Sequence, residues 1–304
     1  MHDIIIIGAG PAGLTAALYA LRAGKSVLVL EKNTFGGQMT FSPKIENYPG
    51  FLAASGNEIA DRLVDQVLTQ GAELELEEVL AVHADGVVKT VETDCGVHEA
   101  RSVIIASGAK HRLLGVPGEE GLVGNGISFC AVCDGAFYRD RDVAVIGGGN
   151  SAAQEAILLA ETSRSVTILQ NLDVLTCEGK LREALDAKEN VRILYGTTVQ
   201  RFLGESSLEG VVARNEKTGT ESTLSFDGVF VAIGLAPENK PFEPIADLDK
   251  VGYILADETC RTKTPGIFVA GDCRTKAVRQ ITTATSDGAI AALSACAYVD
   301  AVRE

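Results

Sequence analysis

Cys130 and Cys133 stand three positions apart in the stretch FCAVCDG, residues 129–135, with Asp134 directly after the second. Two thiols at that spacing can bind a metal, staple a loop, or cycle between dithiol and disulfide. A structural zinc site takes four ligands. The chain has no second CxxC, and His2, His83, His98 and His111 show no ligand spacing, so no metal is expected. A staple over so short a loop removes little chain entropy. Redox cycling fits best, because close thiols exchange at small conformational cost and a nearby helix N-terminus would favour a thiolate. Asp134 either holds the proton that such exchange requires or is a turn residue beside Gly135. Spacing alone leaves both open.

Redox cycling needs a source of electrons, and a nucleotide-binding pattern occurs twice. DIIIIGAGPAGLTAALYALRAGKSVLVLEK (3–32) and DVAVIGGGNSAAQEAILLAETSRSVTILQN (142–171) align without a gap at an offset of 142 − 3 = 139. Each predicts a β-branched strand, a glycine turn, an alanine-rich helix and a second strand, the β-α-β unit of the G-x-G-x-x-G/A fingerprint. Gly8 and Gly147 permit the sharp turn out of the strand, and Gly10 and Gly149 let a pyrophosphate approach the backbone. Gly13 and Ala152 allow close packing of helix on strand. Glu31 ends the second strand of the first copy and suits the ribose hydroxyls of an adenosine; the second copy has Gln170 and Asn171 there.

These patterns predict an α/β chain of two Rossmann-like, three-layer ββα nucleotide-binding domains, the second inserted into the first. Apolar strands at 103–108 and 229–234 and the run GIFVAGD (266–272) complete the halves. The expected boundaries are 1–114 with 243–304 for the outer domain and 115–242 for the inserted one, with glycine- and proline-bearing joints that permit rotation. The chain has 304 residues, 46% of them hydrophobic, and a formal net charge of −14. That balance excludes a basic nucleic-acid footprint. No apolar run reaches membrane-span length, so no membrane association is expected. Seven cysteines, five of them scattered, make no secreted disulfide framework. With no basic start or cleavage site at the N-terminus, a cytoplasmic protein is expected.

GAGPAG, FGGQ, ENYPG, CAVCDGAFYR, VAVIGGGNSA and GIFVAGD…RQITTATSDG, in this order over the full length, resemble the low-molecular-weight thioredoxin reductases. In larger relatives such as glutathione reductase the cysteine pair lies in the flavin domain and a dimerisation domain follows. The resemblance implies a homodimer with one FAD per subunit that reduces the disulfide of thioredoxin. By position, Cys133 would face the flavin, Cys130 would attack the partner disulfide, and Asp134 would be the acid–base residue. FAD contacts would come from Gly8, Gly10, Pro11, Ala12, Gly13, Glu31, Gly36, Gly37, Gln38, Asn47, Gly108, Gly271, Asp272, Arg279, Gln280 and Ile281. Asp272 would accept from a ribityl hydroxyl, and a helix starting near Ile281 would point its positive end at the flavin. The family also implies that the inserted domain swings between two orientations.

One stretch departs from the family. Where its members carry His-Arg-Arg and a later Arg to clamp the 2′-phosphate of NADPH, this chain has Gln170, Asn171, Leu172 and Thr176, with Asp173 close by. Losing two charge-assisted bonds of about 1.5–3 kcal/mol each would weaken NADPH by about 10²-fold or more. Gly147, Gly149, Asn150, Ser151 and Ala152 remain to cradle a nicotinamide dinucleotide, with Gln170 and Asn171 at its ribose. The expected donor is therefore NADH rather than NADPH. Alternatives are a flavin enzyme reduced by ferredoxin, a reductase or oxidase of another small disulfide, and a non-catalytic flavin-binding redox sensor.

Overall fold

The computed structural model describes residues 1–42 and 44–302. The chain forms two compact units, Met1–Lys110 with Ala236–Glu304, and His111–Leu235. The crossings fall at two short strands, Ala109–His111 and Leu235–Pro237, which pair with each other. Both crossings come earlier than the Gly115–Gly118 turn and Pro241, where the proline- and glycine-rich sequence puts them, because strand pairing rather than turn chemistry fixes the joint.

In the first unit, β1 (His2–Ile7) runs into α1 (Pro11–Arg22) and back through β2 (Val27–Glu31). Then come α2 (Gly56–Thr69), β3 (Glu73–Leu76), β4 (Val79–His83), β5 (Lys89–Thr93) and β6 (Val97–Ile105). The sheet order is β3-β2-β1-β6-β5-β4, and Ile267–Val269 also pairs with β6. Pairing is parallel from β3 to β6 and antiparallel through β5 and β4. Both faces of the parallel part are covered, as an uninterrupted Ile4-Ile5-Ile6-Ile7 run requires. Ile4 and Ile6 pack with α1 and the C-terminal helix Ile281–Ala301; Ile5 and Ile7 pack with Val82, Val91 and Phe242. The two helices touch through small residues: a Cβ added to Gly288 would lie 2.2 Å from the Ala12 carbonyl oxygen.

The second unit repeats this plan. Adding the offset of 139 to Pro11 gives 150, and the helix Asn150–Ala160 starts there between the strands Asp142–Ile146 and Ser165–Leu169. Five parallel strands follow the order 191–194, 165–169, 142–146, 228–231, 127–128, and an antiparallel sheet of 197–203, 210–215 and 221–225 supplies the third layer. Val143, Val145 and Phe230 pack on the helical side, while Ala144, Ile146 and Val229 face the antiparallel layer with Phe202 and Val211. Among the described residues, no helix is long and apolar enough to cross a membrane, and no His/Cys/Asp/Glu group could hold a metal ion.

Candidate active site

Cys130 and Cys133 are joined as a disulfide, their Cα atoms 5.3 Å apart. The pair follows the strand Ile127–Ser128 and spans a one-turn helix, Ala131–Asp134, for which Cys130 is the N-cap. Cys130 Sγ accepts from the Cys133 amide at 3.2 Å, and Ser128 Oγ accepts from the Cys130 amide at 3.2 Å. Ser128 Oγ in turn donates to Asp134 Oδ2 at 2.6 Å. The other oxygen, Asp134 Oδ1, is buried and has no hydrogen-bond partner among the described residues. Burial raises the Asp134 carboxyl above its ordinary range, against the lowering effect of the Ser128 bond. Asp134 is a buried carboxyl pushed toward its protonated form, directly after Cys133.

A second carboxyl, which sequence reading missed, stands behind the first. Glu155 Oε2, from the helix Asn150–Ala160, accepts a short hydrogen bond from the Ala131 amide. Burial pushes Glu155 up to about 7, opposed by that amide and assisted by the charge of Asp134. The expectation that a helix N-terminus serves the thiols is correspondingly reduced, since a carboxylate already holds the Ala131 amide. His111 stacks on Phe129 with centroids 4.7 Å apart, and burial lowers it to about 4, which keeps it neutral.

The glycine turn of the first unit is built as a dinucleotide cradle. Gly8 has φ +105°, and a Cβ there would lie 2.4 Å from the Ala106 carbonyl oxygen. No side chain caps α1 at Gly10, and Pro11 occupies its first position, so the leading amides are free for an anion. Glu31 Oε2 accepts from the Ala9 amide at 2.9 Å and Oε1 from the Asn33 amide at 3.0 Å, which fixes the carboxylate at the strand end beside the turn. Gly36 and Gly37 adopt positive φ; the Gly36 amide donates to the Ala9 carbonyl at 2.8 Å, and Gln38 follows in the 3-10 turn Gly37–Phe41. Gly108, φ +69°, has open space where a Cβ would project.

Asp272, Arg279, Gln280 and Ile281 come together before the C-terminal helix. Gly271, also at positive φ, packs on Ala12. Asp272 Oδ1 is buried without a partner among the described residues, and burial pushes the carboxyl up to about 6 despite Lys276 and Arg279. An orphaned buried acceptor calls for a donor from outside the protein, and a ribityl hydroxyl meets that need. Arg279 lies over the Tyr253 ring, 4.2 Å from its centroid, with Nε 3.4 Å from the Asp272 carbonyl oxygen. Asn47 Nδ2 donates to Gln280 Oε1 at 3.2 Å, and Gln280 caps the helix that Ile281 begins. These residues fit FAD.

A buried triad braces this segment, and the sequence reading also missed it. Asp287 Oδ2 accepts from the Gly271 amide at 3.0 Å, Arg274 Nε at 2.9 Å and Lys276 Nζ at 2.9 Å, while Arg274 Nη2 donates to Asp287 Oδ1 at 2.9 Å. Its signal was one acid in an otherwise small, apolar stretch, ITTATSDGAIAA.

The second glycine turn is partly filled by its own loop. Gly147 has φ +132°, Gly149 caps the helix that Asn150 and exposed Ser151 begin, and Ala152 packs against Gly147. Gln170 is 3% exposed, and its Nε2 donates to the Val174 carbonyl at 2.8 Å. Its amide is therefore turned inward, while Asn171, Leu172, Asp173 and Thr176 are exposed. The Thr176 amide donates to the Gly148 carbonyl at 2.7 Å. Glu178 Oε1 accepts from Asn150 Nδ2 at 3.0 Å, which places a carboxylate at the helix start where a pyrophosphate would sit. The nearby Lys217 is engaged by Asp173 at 2.8 Å.

Two dinucleotide turns, one with an unsatisfied acceptor for a flavin hydroxyl, and a vicinal disulfide with a buried acid define a flavin-linked disulfide oxidoreductase. The profile described as "Pyridine nucleotide-disulphide oxidoreductase" matches residues 2–288. The chain belongs to that family. It is 42% identical over 305 residues to a thioredoxin reductase of Listeria innocua, covering 100% of this chain and 96% of that protein. A 34.2 kDa protein in a rubredoxin operon of Clostridium pasteurianum is 41% identical over 98% of this chain and 97% of its own length. The crystal structure of thioredoxin reductase from Streptococcus pyogenes superimposes with a TM-score of 0.95 at 41% identity, covering 99% of both chains.

Proposed function

We propose that this chain is an FAD-dependent thioredoxin reductase in which Cys130 and Cys133 carry two electrons to the disulfide of thioredoxin. The observation that carries the reading is the Cys130–Cys133 disulfide with the buried Asp134 carboxyl at its side. FAD supplies a two-electron carrier when bound. On this reading Gly8, Gly10, Glu31, Gly37, Gly108, Asp272 and Gln280 hold it, its pyrophosphate lying on the uncapped α1 N-terminus. Cys133 takes the electrons, Cys130 exchanges with thioredoxin, and Asp134 moves the proton.

NADH is the favoured donor over NADPH. No arginine lies in 170–178, Lys217 is neutralised by Asp173, and Glu178 adds repulsion toward phosphate. A second reading is favoured by Gln170: its amide and Thr176 occupy the approach to Gly148, so the reductant could be ferredoxin instead. Anaerobic mixing of the flavoprotein with NADH, NADPH or reduced ferredoxin, followed at the flavin absorption band, decides among them. Fast bleaching by NADH supports the first reading. Bleaching by ferredoxin alone supports the second, and tight preferential use of NADPH overturns both.

A further inference from the structure

Glu155 has no place in the chemistry assigned so far, yet its carboxyl contacts the cysteine turn. It holds the amide of Ala131, the residue between the two cysteines nearest Cys130, and burial together with the charge of Asp134 raises its carboxyl. The helix Asn150–Ala160 otherwise turns Ala152, Ala153, Ala156 and Leu159 inward, and the half-buried Glu155 offsets its desolvation with the Ala131 amide. Among the described residues neither Asp134 nor Glu155 forms an ion pair with any lysine, arginine or histidine. The groups that face Asp134 are Ser128, which donates to it, and the Tyr138 phenol, which burial and then the Asp134 charge push up. Neutral His111 adds no charge. Two coupled carboxyls without a counter-ion do not both ionise readily near neutral pH.

We propose that Glu155 is a positioning residue for the disulfide step, holding the Ala131 amide and sharing with Asp134 the single proton that a cysteine sulfur takes. Two electrons entering the Cys130–Cys133 bond break it and leave two sulfur anions. One takes the proton from Asp134 and becomes a thiol, the other remains a thiolate, and Asp134 is left ionised. The electrons come from the reduced flavin or, in the test below, from dithiothreitol, which closes to its cyclic disulfide and releases its two thiol protons to solvent. The inference rests on the disulfide-exchange reading above, but its test needs no thioredoxin, so the two can fail separately.

The test compares Glu155→Gln and Asp134→Asn with the parent flavoprotein. Glutamine keeps an acceptor for the Ala131 amide and removes the charge. In the oxidised protein, with side-chain carboxyls of aspartate and glutamate distinguished by ¹³C labelling, the carboxylic-acid infrared band is titrated with pH. Glu155 in the parent should titrate near pH 7. The proton affinity of Glu155 should fall about tenfold in Asp134→Asn. Reduction by dithiothreitol should slow about tenfold in Glu155→Gln at pH 7, with the gap closing as pH falls toward about 5. A loss of rate equal at every pH, or unmoved titrations, would reduce Glu155 to a structural prop and overturn the proposal. If Glu155→Gln does not fold, the Glu155 midpoint in Asp134→Asn decides.

Discussion

Gln170 lies against Gly148: a Cβ added to that glycine would come within 2.2 Å of Gln170 Nε2. The side chain that replaces the family's histidine is therefore packed into the dinucleotide turn, held there by its bond to the Val174 carbonyl.

Gln170→Ala should consequently tighten dinucleotide binding. A bound dinucleotide displaces the amide and breaks one neutral hydrogen bond, worth about 1 kcal/mol, so removing it should lower the Kd for NADH by about fivefold. Fluorescence titration measures this. Weaker binding would mean that Gln170 contacts the nucleotide after all.

Asp272 makes stability depend on pH. Its folded value, about 6, lies above the ordinary 3.8, so the folded chain holds the proton more tightly than the unfolded one. Stability should fall as pH rises between those values, with the full cost of about 2–3 kcal/mol present above pH 6. In the FAD-free protein, Asp272→Asn should be more stable than the parent at pH 8 and no different below about pH 4. The same variant should bind FAD more weakly at pH 8, since a neutral amide oxygen accepts from a ribityl hydroxyl less strongly than a carboxylate does. Equal melting curves at pH 8 would show that the carboxylate is not strained by burial.

How much of this could be read from sequence followed range along the chain. The glycine turns and the cysteine pair declare themselves within a few residues, because fingerprint and exchange chemistry are local demands. Glu155 reaches Ala131 across 24 positions and reads, in its own helix, as one more polar residue. The inward turn of Gln170 depends on where Val174 and Thr176 place the following loop, which residue types at a strand end do not specify. The joints misread for a related reason: Gly115–Gly118 and Pro241 mark turns, but the pairing of 109–111 with 235–237 sets the crossing.

Arg274 and Asp287 are each 4% exposed, so Asp287→Ala would leave a buried guanidinium without its carboxylate. Burial alone would raise Asp287, but Arg274 and Lys276 hold it below the ordinary range. Its contribution is therefore present above about pH 4 and is lost as pH falls through the depressed folded value. Chemical denaturation at pH 7 should show a loss of about 3–5 kcal/mol. A loss under about 1 kcal/mol would mean that water or a neighbouring acid replaces the partner.

The measurement closest to the central claim is thioredoxin-disulfide reduction by the flavoprotein and its Cys130→Ser and Cys133→Ser variants, with flavin reduction followed in parallel. Both variants should still allow the flavin to be bleached by the working donor while thioredoxin turnover falls by about 10³-fold or more. Undiminished turnover in either variant would contradict the account, because electrons would then reach thioredoxin without the cysteine pair.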